Sequence, residues 1–159
     1  MLSHSPNQTS AWRIWVQRKA TVTGVAAAVT FVWLGMVLAI SFLEAPLKFR
    51  APGVSIQIGL GIGRLVFRAL NAIELFLASV LAIAVLSDVP STRVVLSGAV
   101  SAFALVVQVA VVRPVLTRRS DRVLAGEDVP RSAGHYWYVA LEAVKVVALV
   151  TTGALLLTP

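Results

Sequence analysis

Ala20 to Leu43 is a run of 24 residues without a single charged side chain. About 20 apolar residues in a helix cross the roughly 30 Å hydrocarbon core of a bilayer. A helix on a soluble core would interrupt such a run with a polar face. The run therefore predicts a first transmembrane helix over residues 20–43. It is too long for the apolar region of a cleaved signal peptide, and no small-x-small cleavage site follows it. The whole 159-residue chain is built the same way, with 58% hydrophobic and only 13% charged residues. Soluble domains carry roughly 25% charged residues.

Three further spans follow. Leu75 to Leu86 gives only 12 clean residues before Ser87-Asp88-Val89-Pro90-Ser91 turns the chain. The second helix must reach back through Glu74 and Asn71, which places it at about 64–87. Ser55 to Gly63 alternates apolar and small residues, but an open strand has no place in lipid. It is read as helix extension or interfacial loop. The third helix runs over about 93–113, ended by Arg113-Pro114. A polar loop follows, and the fourth helix covers about 136–157. Glu44 to Gly53 forms the first loop, broken by Pro46 and Pro52-Gly53; Glu44 and Lys48 can pair across one helical turn. Residues 1–19 form a polar and interfacial N-terminal tail, and 20–159 one membrane domain. Trp12 and Trp15, and later Tyr136, Trp137 and Tyr138, read as aromatic belts at the membrane interface. Gly24 with Ala28, and Gly35 with Ala39, have the spacing that lets a second helix approach closely. The predicted fold class is all-α, a polytopic membrane protein made of a four-transmembrane-helix bundle.

Charge sets an orientation. One end of such a bundle collects Lys48, Arg50, Arg64, Arg68, Arg113, Arg118, Arg119, Arg122 and Arg131, against Arg13, Arg18, Lys19 and Arg93 at the other. The positive-inside rule places the first end, with loops one and three, in the cytoplasm. In a bacterium the location is then the plasma (inner) membrane. Arg64, Arg68, Arg113, Arg118 and Arg119 form a basic face suited to lipid headgroups, so the expected partners are the bilayer and its anionic lipids. The net charge of +7 is accounted for by these flanking residues and does not point to nucleic acid. A chain this short is expected to work as a homo-oligomer or within a larger membrane complex.

The interior carries the most specific signal. At about 1.5 Å per residue, Glu74 lies about 9 Å below Arg68, Gln108 about 7.5 Å below Arg113, and Glu142 and Lys145 about 9 and 13.5 Å below Tyr136. Three helices thus place polar groups in one layer. An intramembrane charge costs roughly 2.5–3.5 kcal/mol on insertion scales, so such groups face the bundle interior and pair. Glu142 with Lys145, and Glu74 with Lys145 or Arg68, are the candidate pairs. Glu74, Gln108, Glu142 and Lys145 form the candidate intramembrane polar site.

Other chemistries find little support. The chain has no cysteine and only His4 and His135. No thiolate, metal or bis-imidazole haem site is expected, and no cofactor. Arg113-Pro114 with Ser132-Ala133-Gly134-His135 faintly resembles membrane phosphatases that act on lipid phosphates, but their remaining motif residues are missing. Leu70-Asn71-Ala72-Ile73-Glu74 resembles a fragment of small lipid kinases without the acidic partners. No catalytic residues are assigned, and the balance is against an enzyme.

Glu44-Ala45-Pro46-Leu47-Lys48-Phe49, Gly63-Arg64-Leu65-Val66-Phe67, Arg113-Pro114 and Tyr138-x3-Glu142-x2-Lys145 together resemble a family of uncharacterised bacterial four-helix integral membrane proteins. The resemblance implies a fold and a location and carries no activity. The expected function is transport of a small solute, ion or proton, or ligand binding, at the buried polar layer. The alternative is a structural or accessory subunit of a membrane complex with an anionic-lipid-binding face.

Overall fold

The computed structural model describes residues 6–88, 91–127 and 134–158, with side chains from Ala11 onward except that of His135. Met1–Ser5, part of the turn after Asp88, and Arg131 lie outside the described residues. All regular structure among the described residues is helical: α1 (Pro6–Val37), α2 (Ala45–Lys48), α3 (Ile56–Ser87), α4 (Thr92–Val107), α5 (Arg113–Leu124) and α6 (Gly134–Leu157). Two π-helical stretches, Leu38–Glu44 and Gln108–Val112, join α1 to α2 and α4 to α5 without a break. Four stretches are thereby long and apolar enough to cross a membrane: Ala11–Lys48, Ile56–Ser87, Thr92–Leu124 and Tyr136–Leu157. They make an all-α four-helix bundle. α1 packs against α3 and α6, α4 most extensively against α6, and α3 against α4.

Helix ends differ from those predicted, and proline explains two of the differences. Pro46 and Pro114 do not end their helices. A proline inside an α-helix lacks its N–H and its ring strikes the carbonyl four residues back. Here that carbonyl belongs to Phe42 or Ala110, each within a π stretch. The widened turn relieves the clash, with the N–H of Ala45 bonding to the carbonyl of Ile40 and that of Arg113 to Gln108, five residues back in each case. The chain therefore stays helical to Lys48 and to Leu124, past Glu44 and Pro114, where loops one and three were expected to begin. α5 closes with Gly126 at φ 85; its N–H and that of Glu127 return to the carbonyls of Val123 and Arg122, a Schellman closure that favours glycine. α1 begins at Pro6, so part of the predicted tail is helical. α3 begins at Ile56, where the Ser55 hydroxyl accepts from the Ile58 N–H at 3.2 Å; the alternating segment is helix extension.

Glycines seat α2 on α3. A Cβ on Gly59 would lie 2.3 Å from the Phe49 ring, and one on Gly63 would lie 2.8 Å from Lys48 Nζ. The row on α1 behaves differently. Gly24 and Gly35 have nothing within 4 Å of a Cβ, and Ala28 and Ala39 are exposed, so the row lies on an exposed side of the helix. At the opposite end of the bundle Lys19 pairs with Asp88 at 3.3 Å and lies over the Trp15 ring.

The two kinds of glycine are separable by thermal unfolding in detergent. Gly61 has free space around it, so Gly61→Ala is expected to gain about 0.5–1 kcal/mol of helix propensity. Gly59→Ala is expected to lose that gain by displacing Phe49, giving an unfolding temperature below that of Gly61→Ala.

Candidate functional site

The buried polar layer forms from the helix interior outward. Leu70, Asn71, Glu74, Leu77 and Leu81 are buried along one side of α3 at helical spacing, which carries Glu74 into the centre with its apolar neighbours. Glu142 and Lys145 are three residues apart on α6 and share a face. Gln108 opens the second π stretch and is fully buried. The structure brings together all four residues expected from the sequence. Lys145 Nζ lies 2.5 Å from Glu74 Oε1 and 3.3 Å from Glu142 Oε2. Gln108 Nε2 donates to Glu142 Oε1 at 3.0 Å. Glu74, Gln108 and Lys145 have no exposed surface, and Glu142 is 1% exposed.

Trp33 and Arg113 were missed as partners of the layer, and Tyr138 was assigned to the interface. Trp33 Nε1 donates to Glu74 Oε1 at 2.9 Å. Its position was a usable signal, since it stands in mid-span while the other three tryptophans flank spans. Asn71, with its amide nitrogen towards Glu74, donates to Oε2 at 3.3 Å and accepts from Arg113 at 3.0 Å. Arg113 thus reaches below the basic face into the layer and makes no ion pair among the described residues. Tyr138 is only 7% exposed, whereas Tyr136 and Trp137 point outward. It belongs to the interior, where its ring meets Phe67 edge-on at 5.3 Å, and is not part of an aromatic belt.

The remaining basic residues divide. Arg68 is exposed, so the expected Glu74–Arg68 alternative does not occur and Lys145 takes that role. Arg64 pairs with Asp121 at 2.6 Å, tying α3 to α5. Arg118 is exposed and Arg119 half-buried. Lys48 pairs with Glu44 at 3.3 Å, as their spacing allowed.

Directly above the layer lies a half-open cavity of about 510 Å³ between the α1–α2 junction, α3, α5 and α6. Phe42, Phe49, Leu60, Phe67, Leu116 and Val139 give it apolar walls. Asn71, Arg113, Tyr138 and Glu142 form its inner end. Five buried side-chain polar atoms among the described residues lack a hydrogen-bond partner: Ser41 Oγ, Arg64 Nε, Gln108 Oε1, Tyr138 Oη and Glu142 Oε2. Four of the five belong to residues lining this one cavity. Buried polar atoms are otherwise almost always satisfied. These atoms have almost no surface of their own; Glu142 Oε2 is held 3.3 Å from Lys145 Nζ, and the Tyr138 hydroxyl faces the Glu142 carboxylate. On the other side of the layer Leu77, Leu81, Leu105 and Leu149 pack with Trp33 and Val37, so the opening is on one side. No group of three or more His, Cys, Asp or Glu side chains able to hold a metal occurs among the described residues. Comparison with protein-family models, with curated proteins and with solved structures gives no match.

Lys145 balances two carboxylates, so its removal is the severe change. Lys145→Met leaves Glu74 and Glu142 buried without their cation and is expected to destabilise the protein by about 3–5 kcal/mol. The double change Glu74→Gln with Lys145→Met removes the closest pair together and should be milder than Lys145→Met alone. Thermal unfolding of the single and double variants in detergent checks the order.

Proposed function

We propose that this chain is a multi-pass integral membrane protein of a bacterial plasma membrane that binds a small polar or charged ligand where the cavity meets the buried polar layer. One observation carries the reading: Arg113, which makes no ion pair among the described residues, stands with Asn71, Tyr138 and Glu142 at the inner end of a cavity that Lys48, Arg64 and Arg119 also line. The nine-to-four excess of basic residues supports placing the cavity mouth on the cytoplasmic side. Transport through the same site is the natural extension, with the packed leucines as the barrier a second conformation has to open. The resemblance to bacterial four-helix membrane proteins fits this location.

A second reading has its own observation. Gly24, Ala28 and Gly35 on α1 and Ala39 just beyond it form an exposed row, with open space around a Cβ at both glycines, that suits close approach by another helix. It favours a subunit that packs against itself or a larger complex.

The absence of native cysteine makes the test direct. Cysteines at Thr117 and Ser120, in the cavity, are expected to react with a membrane-impermeant thiol reagent in inside-out vesicles and not in intact cells. Cysteines at Ser101 and Thr152, fully buried beyond the layer, are expected to stay unlabelled from both sides. If the cavity positions also stay silent while exposed Arg50→Cys reacts, the interior is dry and the ligand-binding reading falls in favour of the structural one.

A further inference from the structure

Resting on that ligand-binding reading, we propose that the cavity takes an oxyanion of the phosphate type, carried on an amphiphile whose hydrocarbon lies along the phenylalanine wall. The donors decide the charge of the ligand. Ser41, Arg64 and Tyr138 line the cavity and carry O–H or N–H groups. Arg113 adds a guanidinium that bonds to one neutral amide and to no carboxylate among the described residues. Its planar array of donors suits bidentate recognition of phosphate. The nearby acids are committed elsewhere, Glu44 to Lys48, Asp121 to Arg64, and Glu74 to Lys145. Glu142 Oε2 is 3.3 Å from Lys145 Nζ, and the Tyr138 hydroxyl faces the same carboxylate.

The surroundings decide the amphiphile. Phe42, Phe49 and Phe67 stand in the cavity wall with no polar partner to offer a soluble anion. Exposed apolar side chains continue past the arginines, with Leu47 on α2 and Ile56, Ile58 and Leu65 on α3. Ile56 lies eight residues before Arg64, about 12 Å further along the helix. The cationic groups therefore sit inside an apolar rim, at the depth where a lipid phosphate meets its acyl chains. A free phosphate ion would have to leave bulk water to reach them.

The test uses delipidated full-length protein in mild detergent, with binding read by native mass spectrometry and by thermal shift. Dioleoylphosphatidylglycerol is expected to bind, with dioleoylphosphatidylcholine and inorganic phosphate binding at least tenfold more weakly. Tyr138→Phe removes a hydroxyl at the inner end of the cavity, and phosphatidylglycerol binding should fall roughly tenfold, the worth of one hydrogen bond to a charged group, with thermal unfolding of the lipid-free variant separating lost binding from lost fold. Arg113→Gln should abolish the preference for the anionic lipid, and the exposed Arg122→Gln should keep it. Equal binding of inorganic phosphate at the same concentration would keep the oxyanion and overturn the amphiphile. Equal binding of both lipids, or Tyr138→Phe and Arg113→Gln behaving like wild type, would overturn the proposal. Such a failure with cavity cysteines still labelled means a different ligand class; failure of the labelling itself removes the site.

Discussion

One ammonium group, Lys145 Nζ, sits between the carboxylates of Glu74 and Glu142 in the middle of an apolar bundle, and the rest of the interior is arranged around it. An unpaired charge at this depth costs several kcal/mol, and a pair recovers that cost only with good geometry and further hydrogen bonds. The partners come from α3 and α6, while Trp33 of α1 and Gln108 at the end of α4 supply donors to the two carboxylates. All four spans are therefore fixed in register at one level. The apolar contacts between them are compatible with sliding by a turn; this network is not. Two carboxylates against one lysine leave a negative excess, and the second cation arrives indirectly, as Arg113 acting through the Asn71 amide on Glu74.

That second cation stands where one of the two helices widens. Arg113 follows the π stretch Gln108–Val112 and precedes Pro114, while Ser41 lies in the matching stretch before Pro46. Each π stretch accommodates its proline and keeps the helix running, so α2 and α5 continue beyond the layer as walls. An α-helix ended at each proline would leave the polar layer facing the headgroups directly. The continuation converts that surface into a cavity with Phe49 and Leu116 at its sides. Gly59 and Gly63 complete the arrangement by giving Phe49 and Lys48 room against α3.

Depth was legible in the sequence because helical rise is fixed. Counting residues from the basic end was enough to put Glu74, Gln108, Glu142 and Lys145 in one layer, and the four-helix bundle followed from the apolar runs. What counting misses is a group whose polarity is hidden or whose reach exceeds its backbone position. Trp33 reads as hydrocarbon until its indole N–H is asked for a partner. Arg113 has its Cα near the end of a span, and its long side chain extends back down to Asn71. Tyr138 sits two residues from Tyr136, so a belt was the natural expectation, but helical phase turns it inward while Tyr136 and Trp137 face out. The two prolines were read as breaks because their usual effect is one, and nothing local in the sequence announces a π turn.

The closure of the far side limits what the polar layer can do. Buried hydroxyls do occur beyond it, at Thr30, Ser101 and Thr152, and a row of hydroxyls is the raw material of a proton path. These ones are committed to their own helices. Thr30 and Thr152 donate to the carbonyls of Ala26 and Ala148 at 2.8 Å, and Ser101 to that of Ser97 at 3.2 Å. Thr152 also bonds Ser97 Oγ at 2.8 Å, which holds α6 to α4. Leu77, Leu81, Leu105 and Leu149 fill the space between, leaving no polar route from Lys145 to the Lys19–Asp88 end. A group entering the cavity meets Arg113, Tyr138 and Glu142 and goes no further unless the leucines separate. Their separation would expose Lys145 and Glu74 to the opposite face, so the ion pair that sets the register also stands where any alternating access has to pass.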